Sequence, residues 1–193
     1  MGVRTADRAT ASQLPEKIGN LLDESRWLAL GAVALFLAMA FWGFSKEDPG
    51  WSHAVVSGNL HNPTGHAGAW IADLMLYLFG FSAWWWIVLL VMFMWWGFRR
   101  LNSPLGHADR RPLYFALSGF GVLLVASSAL EALRFYSLKV ELPLAPGGLL
   151  GIEAGRLLEH LLGYTGSTLV LLAAMAAGWS IFSGMSWLWA FER

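Results

Sequence analysis

With 193 residues, 56% of them apolar and 13% charged, and a mean hydropathy of +0.51, the chain is too oily for an ordinary soluble domain, so lipid is its expected solvent. A formal net charge of zero supplies no clustered positive potential to displace counterions from phosphates, which disfavours direct contact with nucleic acid. The absence of cysteine excludes disulfides, thiolate metal sites and cysteine nucleophiles.

Residues 1–26 form a polar leading segment carrying Arg4, Arg8, Lys17 and Arg26. An uncharged run then predicts a first span over 27–45, since roughly 20 helical residues at about 1.5 Å each cross a hydrocarbon core of about 30 Å. Ala38-Met39-Ala40 resembles a signal-peptide cleavage site. The length of the leading segment and the continuing apolar run Phe41-Trp42-Gly43-Phe44 favour an uncut span.

The connection over 46–80 holds His53, His61 and His66, which could in principle gather a metal. Zinc sites place ligands one helical turn apart with a third ligand nearby, whereas His61 and His66 are separated by Pro63 and Gly65. Solvated loop histidines are the expectation, and no metal or cofactor is assigned. Within this connection 67–79 reads as an interfacial helix, with His66, Trp70, Asp73 and Tyr77 as its polar or amphipathic stripe.

Leu78-Phe79-Gly80-Phe81-Ser82 marks a break, because glycine disfavours helix continuation and a following hydroxyl can accept from the amides of a new helix. A second span follows over 81–99, with Trp84, Trp85 and Trp86 at one end and Trp95 and Trp96 at the other. Amphipathic rings favour the headgroup zone, so these read as two interfacial belts. The connection over 100–111 holds Arg100, Arg110 and Arg111, with Arg99 at its edge counted with it.

The third span is expected over 112–133, with Glu131 at its outer end and Arg134 three residues on, a spacing that suggests a local ion pair. The connection over 134–163 contains a second interfacial helix over 148–162. Leu150, Ala154, Leu157, Leu158 and Leu161 fall on one face and Glu153, Arg156, Glu159 and His160 on the other. Leu161-Leu162-Gly163-Tyr164-Thr165 repeats the earlier break pattern, and a fourth span follows over 164–189, leaving 190–193 as the end. Ala173 with Ala177, and Ala174 with Gly178, are small residues four apart that let helices approach closely in lipid, either within the chain or between copies.

The expected fold is therefore all-α and integral to the membrane: four transmembrane helices as two similar hairpins, each with a periplasmic interfacial helix before the returning span. Lysine and arginine set the orientation. The leading segment, the middle connection and the tail hold nine of the 13, and the other two connections hold Lys46, Arg134, Lys139 and Arg156, so both termini are expected in the cytoplasm.

The spans offer almost no ionisable groups, and ion pathways and intramembrane catalysts need them at membrane depth. A small helical channel or transporter would have chiefly Ser118, Ser127, Ser128, Thr168 and Ser180 to line its path, so it is the second choice behind a scaffold. No Gly-rich phosphate loop, Ser–His–Asp set or paired-carboxylate signal appears.

Asp48-Pro49-Gly50-Trp51-Ser52-His53 resembles the D-P-x-W-S signature of the amino-terminal four-span domain of the FtsK/SpoIIIE DNA translocases. Gly68-Ala69-Trp70-Ile71-Ala72-Asp73, followed by Leu78-Phe79-Gly80-Phe81-Ser82, is similar to that family's G-A-W-x-A-D segment and glycine break. Gly163-Tyr164-Thr165-Gly166 and Ser183-Gly184-Met185-Ser186-Trp187 resemble the stretches leading into and out of its fourth span. Family members carry a RecA-like motor with a Walker lysine, and this sequence contains no G-x-x-x-x-G-K-[ST], so it reads as the membrane domain alone and not as an enzyme. The resemblance implies inner-membrane anchoring at the division septum, contact with division-machinery proteins, tethering of a ring-shaped DNA pump, and homo-oligomerisation as a hexamer. Asp48, Pro49, Trp51, Ser52, His53, Trp70 and Asp73 become candidate partner contacts. Ala173, Ala174, Ala177 and Gly178 are candidates for helix packing, and Arg99, Arg100, Arg110 and Arg111 for topology and lipid contact.

Overall fold

The computed structural model describes residues 24–54, 60–101, 113–135 and 142–185. These contain α1 (Glu24–Trp42), α2 (Gly65–Phe79), α3 (Trp84–Leu101), α4 (Leu113–Arg134) and α5 (Gly148–Ser183), and no strand occurs among them. Four stretches are long and apolar enough to cross a membrane: Glu24–Trp42, Gly65–Trp96, Leu113–Arg134 and Gly148–Ser183. The described residues are thus all-helical, with four helices long and apolar enough to span, as the apolar runs predict.

Both glycine breaks occur where the pattern puts them. Gly80 has φ 60° and ψ −138°, and a single 3-10 turn, Gly80–Ala83, leads into α3. In α5 the helix kinks at Gly163, with φ 67° and ψ 173°, a conformation that a side chain would strain. The hydroxyl's role at the first break differs from expectation. Ser82 Oγ donates across to Glu131 Oε1 on α4 at 2.7 Å instead of capping its own helix. At the second break Ser167 Oγ donates to the Gly163 carbonyl at 2.7 Å and Thr168 Oγ1 to the Tyr164 carbonyl at 2.8 Å.

The α4–α5 contact is built from small residues. A Cβ added to Gly119 would lie 2.5 Å from Phe182 N, and one added to Gly178 would lie 2.7 Å from Leu123 N. Such close backbone approach is how helices gain dispersion energy where lipid removes the hydrophobic drive. The two small-residue pairs part here: Gly178 is buried and Ala174 half-buried toward α4, while Ala173 and Ala177 are exposed. On the other side, Phe41 of α1 meets Trp84 of α3 edge-on at 5.8 Å, and Gly31 lies against Met94. Ala40, Phe41, Ala72, Leu76, Ala83 and Leu142 close that half of the core.

Three of the five tryptophans read as belts pack against neighbouring helices. Trp86 sits between Phe79 and Phe120, Trp85 against Trp179, and Trp96 between Phe93 and Phe182. Partly buried, they pack against Leu89, Leu123 and Phe182 and add their large apolar area to that half of the core. Trp84 and Trp95 are the members of these two clusters that remain exposed.

Candidate functional site

The stretch resembling D-P-x-W-S begins where α1 ends and folds back over the start of α2. The last turn of a helix leaves carbonyls without partners. Asn62, buried, meets one of them by donating from Nδ2 to the Ala40 carbonyl at 2.9 Å. Its Oδ1 accepts from Thr64 N at 3.0 Å and from the Thr64 hydroxyl, which turns the chain into α2.

Two aspartates hold this fold-back, and both are almost wholly buried, Asp48 at 2% and Asp73 at 1% exposure. Asp48 Oδ1 accepts from His61 N at 2.7 Å and Oδ2 from Asn62 N at 2.8 Å, while His61 Nδ1 lies 3.3 Å from Oδ1. Asp73, on α2, accepts from Ser52 N through Oδ2 at 2.5 Å and from Ser52 Oγ through Oδ1 at 3.0 Å. A buried charge is tolerable only when so bonded. Gly50 passes directly over Asp73, and a Cβ there would lie 2.6 Å from its carboxyl carbon, so no larger residue fits without displacing the acid. His53 Nε2 donates to the Lys46 carbonyl at 2.9 Å, and its Nδ1 is 3.0 Å from Ser52 Oγ.

The candidate partner contacts therefore divide in two. Asp48 and Asp73 are turned inward and bonded to the chain itself, with Pro49 and His53 half-buried beside them. Trp51 at 49% and Trp70 at 46% exposure, with Ser52 between them in sequence, present the accessible surface. Trp51 is fixed edge-on against Tyr77 at 5.2 Å between ring centroids.

His53 and His61 belong to different aspartates, His66 is exposed, and among the described residues no three His, Asp or Glu gather around one metal position. Glu131 and Arg134 do not form the expected ion pair. Arg134 Nε donates to Thr168 Oγ1 at 3.1 Å and its guanidinium lies 4.2 Å from the centroid of the Tyr164 ring, while Glu131 accepts from Ser82. Each group has reached across to a neighbouring element and not along its own helix. Arg99 and Arg100 fall in the last stretch of α3, and Arg110 and Arg111 lie outside the described residues.

Four helices long and apolar enough to cross a membrane, a folded first connection and two glycine breaks define the class of multi-pass helical membrane domains. The 4TM region of DNA translocase FtsK/SpoIIIE matches residues 19–193, and the chain belongs to that family. DNA translocase FtsK 2 of Ralstonia nicotianae is 43% identical over 185 residues, covering 94% of this chain and 24% of the relative. DNA translocase FtsK 1 of Neisseria meningitidis serogroup B is 34% identical over 181 residues, covering 93% and 22%. DNA translocase FtsK of Shewanella oneidensis is 31% identical over 161 residues, covering 83% and 17%. The chain thus spans about a quarter or less of the length of these curated relatives, and what it shares with them is their membrane region and not a motor. No solved structure matches it.

Proposed function

We propose that this domain is the membrane anchor and assembly module of a division-site DNA translocase, holding the motor at the septum and coupling division to chromosome segregation. The observation that carries this is the match of the 4TM region over residues 19–193 to a chain with four helices apt to cross a membrane. Both termini lie in the cytoplasm, on the side favoured by nine of the 13 lysines and arginines, with Arg99, Arg100, Arg110 and Arg111 contacting anionic lipid at about 1 kcal/mol each. Partners from the division machinery meet the outer surface at Trp51, Ser52 and Trp70. Copies associate through the exposed small residues Ala173 and Ala177, as a hexamer by family resemblance.

The two outer helices, 67–79 and 148–162, rest in the headgroup zone within this reading. What supports it for the second is the exposure of Leu157 at 63% and Leu161 at 66% beside the exposed Glu153, Arg156, Glu159 and His160, a greasy and a charged face on one short helix. The test is localisation of the domain fused to a fluorescent protein in dividing cells. Septal enrichment is expected, and it should fall severalfold in a variant carrying Trp51→Ala and Trp70→Ala that still inserts in the membrane; uniform membrane fluorescence of the parent fusion refutes the anchor.

A further inference from the structure

Arg134 is the last residue of α4, a 22-residue helix long enough to cross the hydrocarbon and bring its end to the headgroup zone. Its guanidinium is held in one orientation from two sides. Nε donates to Thr168 Oγ1 at 3.1 Å, and the Thr168 hydroxyl donates in turn to the Tyr164 carbonyl at 2.8 Å. The ring of the same tyrosine lies against the guanidinium, 4.2 Å from its centroid. Thr168 is 8% exposed, so the hydroxyl that orients the arginine is itself fixed by packing.

These contacts use one of the five N–H donors of the guanidinium and leave the two Nη groups. Among the described residues neither Nη donates to the protein, and none of the ion pairs includes Arg134. Glu131, three residues back on α4, is turned to Ser82 N and Oγ. The result is an oriented, planar cation at the membrane end of a span, with no counter-charge from the described part of its own chain. Phosphate answers that geometry, because its oxygens pair with two parallel N–H groups and its charge offsets the guanidinium's. Apolar surface borders the fork as well: Leu161, Leu162 and Leu169 stand beside Tyr164 and Thr168 in sequence and are exposed.

We infer that Arg134 is a headgroup site for one anionic phospholipid, with the two Nη groups on its phosphate and its chains against the neighbouring leucines. The site lies at the opposite end of the spans from Arg99 and Arg100, so it serves the other leaflet. Tyr164 and Thr168 directly follow the kink at Gly163, and a lipid seated on Arg134 therefore bears on the angle at which the last span returns. The inference rests on Arg134, Tyr164 and Thr168 alone and survives failure of the septal reading.

Native mass spectrometry of the full chain in detergent, titrated with phosphatidylglycerol or phosphatidylcholine, tests it. The parent should hold one phosphatidylglycerol more tightly than any further copy and more tightly than phosphatidylcholine. Arg134→Gln should weaken that first lipid by about tenfold, the scale of hydrogen bonds to a charged group. Arg156→Gln removes an exposed arginine already paired with Glu153 and should leave it unchanged. Parent affinity in Arg134→Gln, or an equal loss in Arg156→Gln, overturns the site. Inorganic phosphate at millimolar concentration should not displace the lipid; displacement would make this a free-anion site and overturn the assignment to lipid. Should Arg134→Gln not fold, Thr168→Val keeps every charge and frees the guanidinium to turn. It should weaken the first lipid severalfold, and parent affinity in that variant refutes the oriented fork.

Discussion

Asp73 illustrates how one residue can look functional in a sequence and prove architectural in three dimensions. A carboxylate on an otherwise apolar helix invites a partner, and the chain supplies its own: the Ser52 amide and hydroxyl. Because Asp73 is 1% exposed, Asp73→Ala strands the Ser52 amide and opens the space under Gly50. The expected cost is about 2–3 kcal/mol, the size seen for hydrogen bonds to buried charge, read as a clear fall in thermal midpoint. Ser52→Ala removes only the hydroxyl bond and should cost about 1 kcal/mol. A thermal midpoint for Asp73→Ala equal to that of the parent would show that the acid does not hold the loop. Sequence pattern could bring Asp48 and Asp73 to notice, but not their direction, because inward and outward aspartates share one letter. Trp51 and Trp70, singled out in the sequence as candidate partner contacts, are exposed, whereas the pairing of Trp86 with Phe120 depended on contacts between distant segments.

At the level of elements, the helices and their breaks were readable because apolar run length and glycine–aromatic–hydroxyl punctuation are local signals. What escaped was the face by which the front of α5 seats on α4. Leucine periodicity drew attention, yet Gly147, Gly151 and Gly155 make the contact, a Cβ on Gly151 lying 2.2 Å from the Ser128 carbonyl and one on Gly155 lying 3.3 Å from Leu133. The glycines recur every four residues, which was the available clue. Two glycine-to-alanine changes separate contact from propensity. Gly151→Ala forces a backbone shift and should destabilise by about 1–3 kcal/mol, as overpacking does. Gly121→Ala, within α4 where a Cβ meets nothing within 4 Å, should be neutral or stabilise by up to about 1 kcal/mol through helix propensity. Equal effects in thermal unfolding would remove the distinction.

For the whole molecule, the proposed arrangement ties charge to geometry: nine of 13 lysines and arginines lie in the leading segment, the middle connection and the tail, while the buried Asp48 and Asp73 networks shape the opposite side. Moving arginines across the bilayer is costly, so in the proposed arrangement this distribution sets the sign of the topology even though it says little about how the helices pack. The two levels are separable by experiment because the native sequence has no cysteine, which lets single cysteines be read without background. In cells with a permeabilised outer membrane, Ser52→Cys and Glu159→Cys should react with a membrane-impermeant maleimide from outside, since both positions are exposed. Ser103→Cys, in the middle connection, should react only after the inner membrane is opened. Labelling of Ser103→Cys in intact spheroplasts would invert the topology. The interfacial resting place of 148–162 would then move to the cytoplasmic leaflet, and the partner surface at Trp51 and Trp70 would move with it.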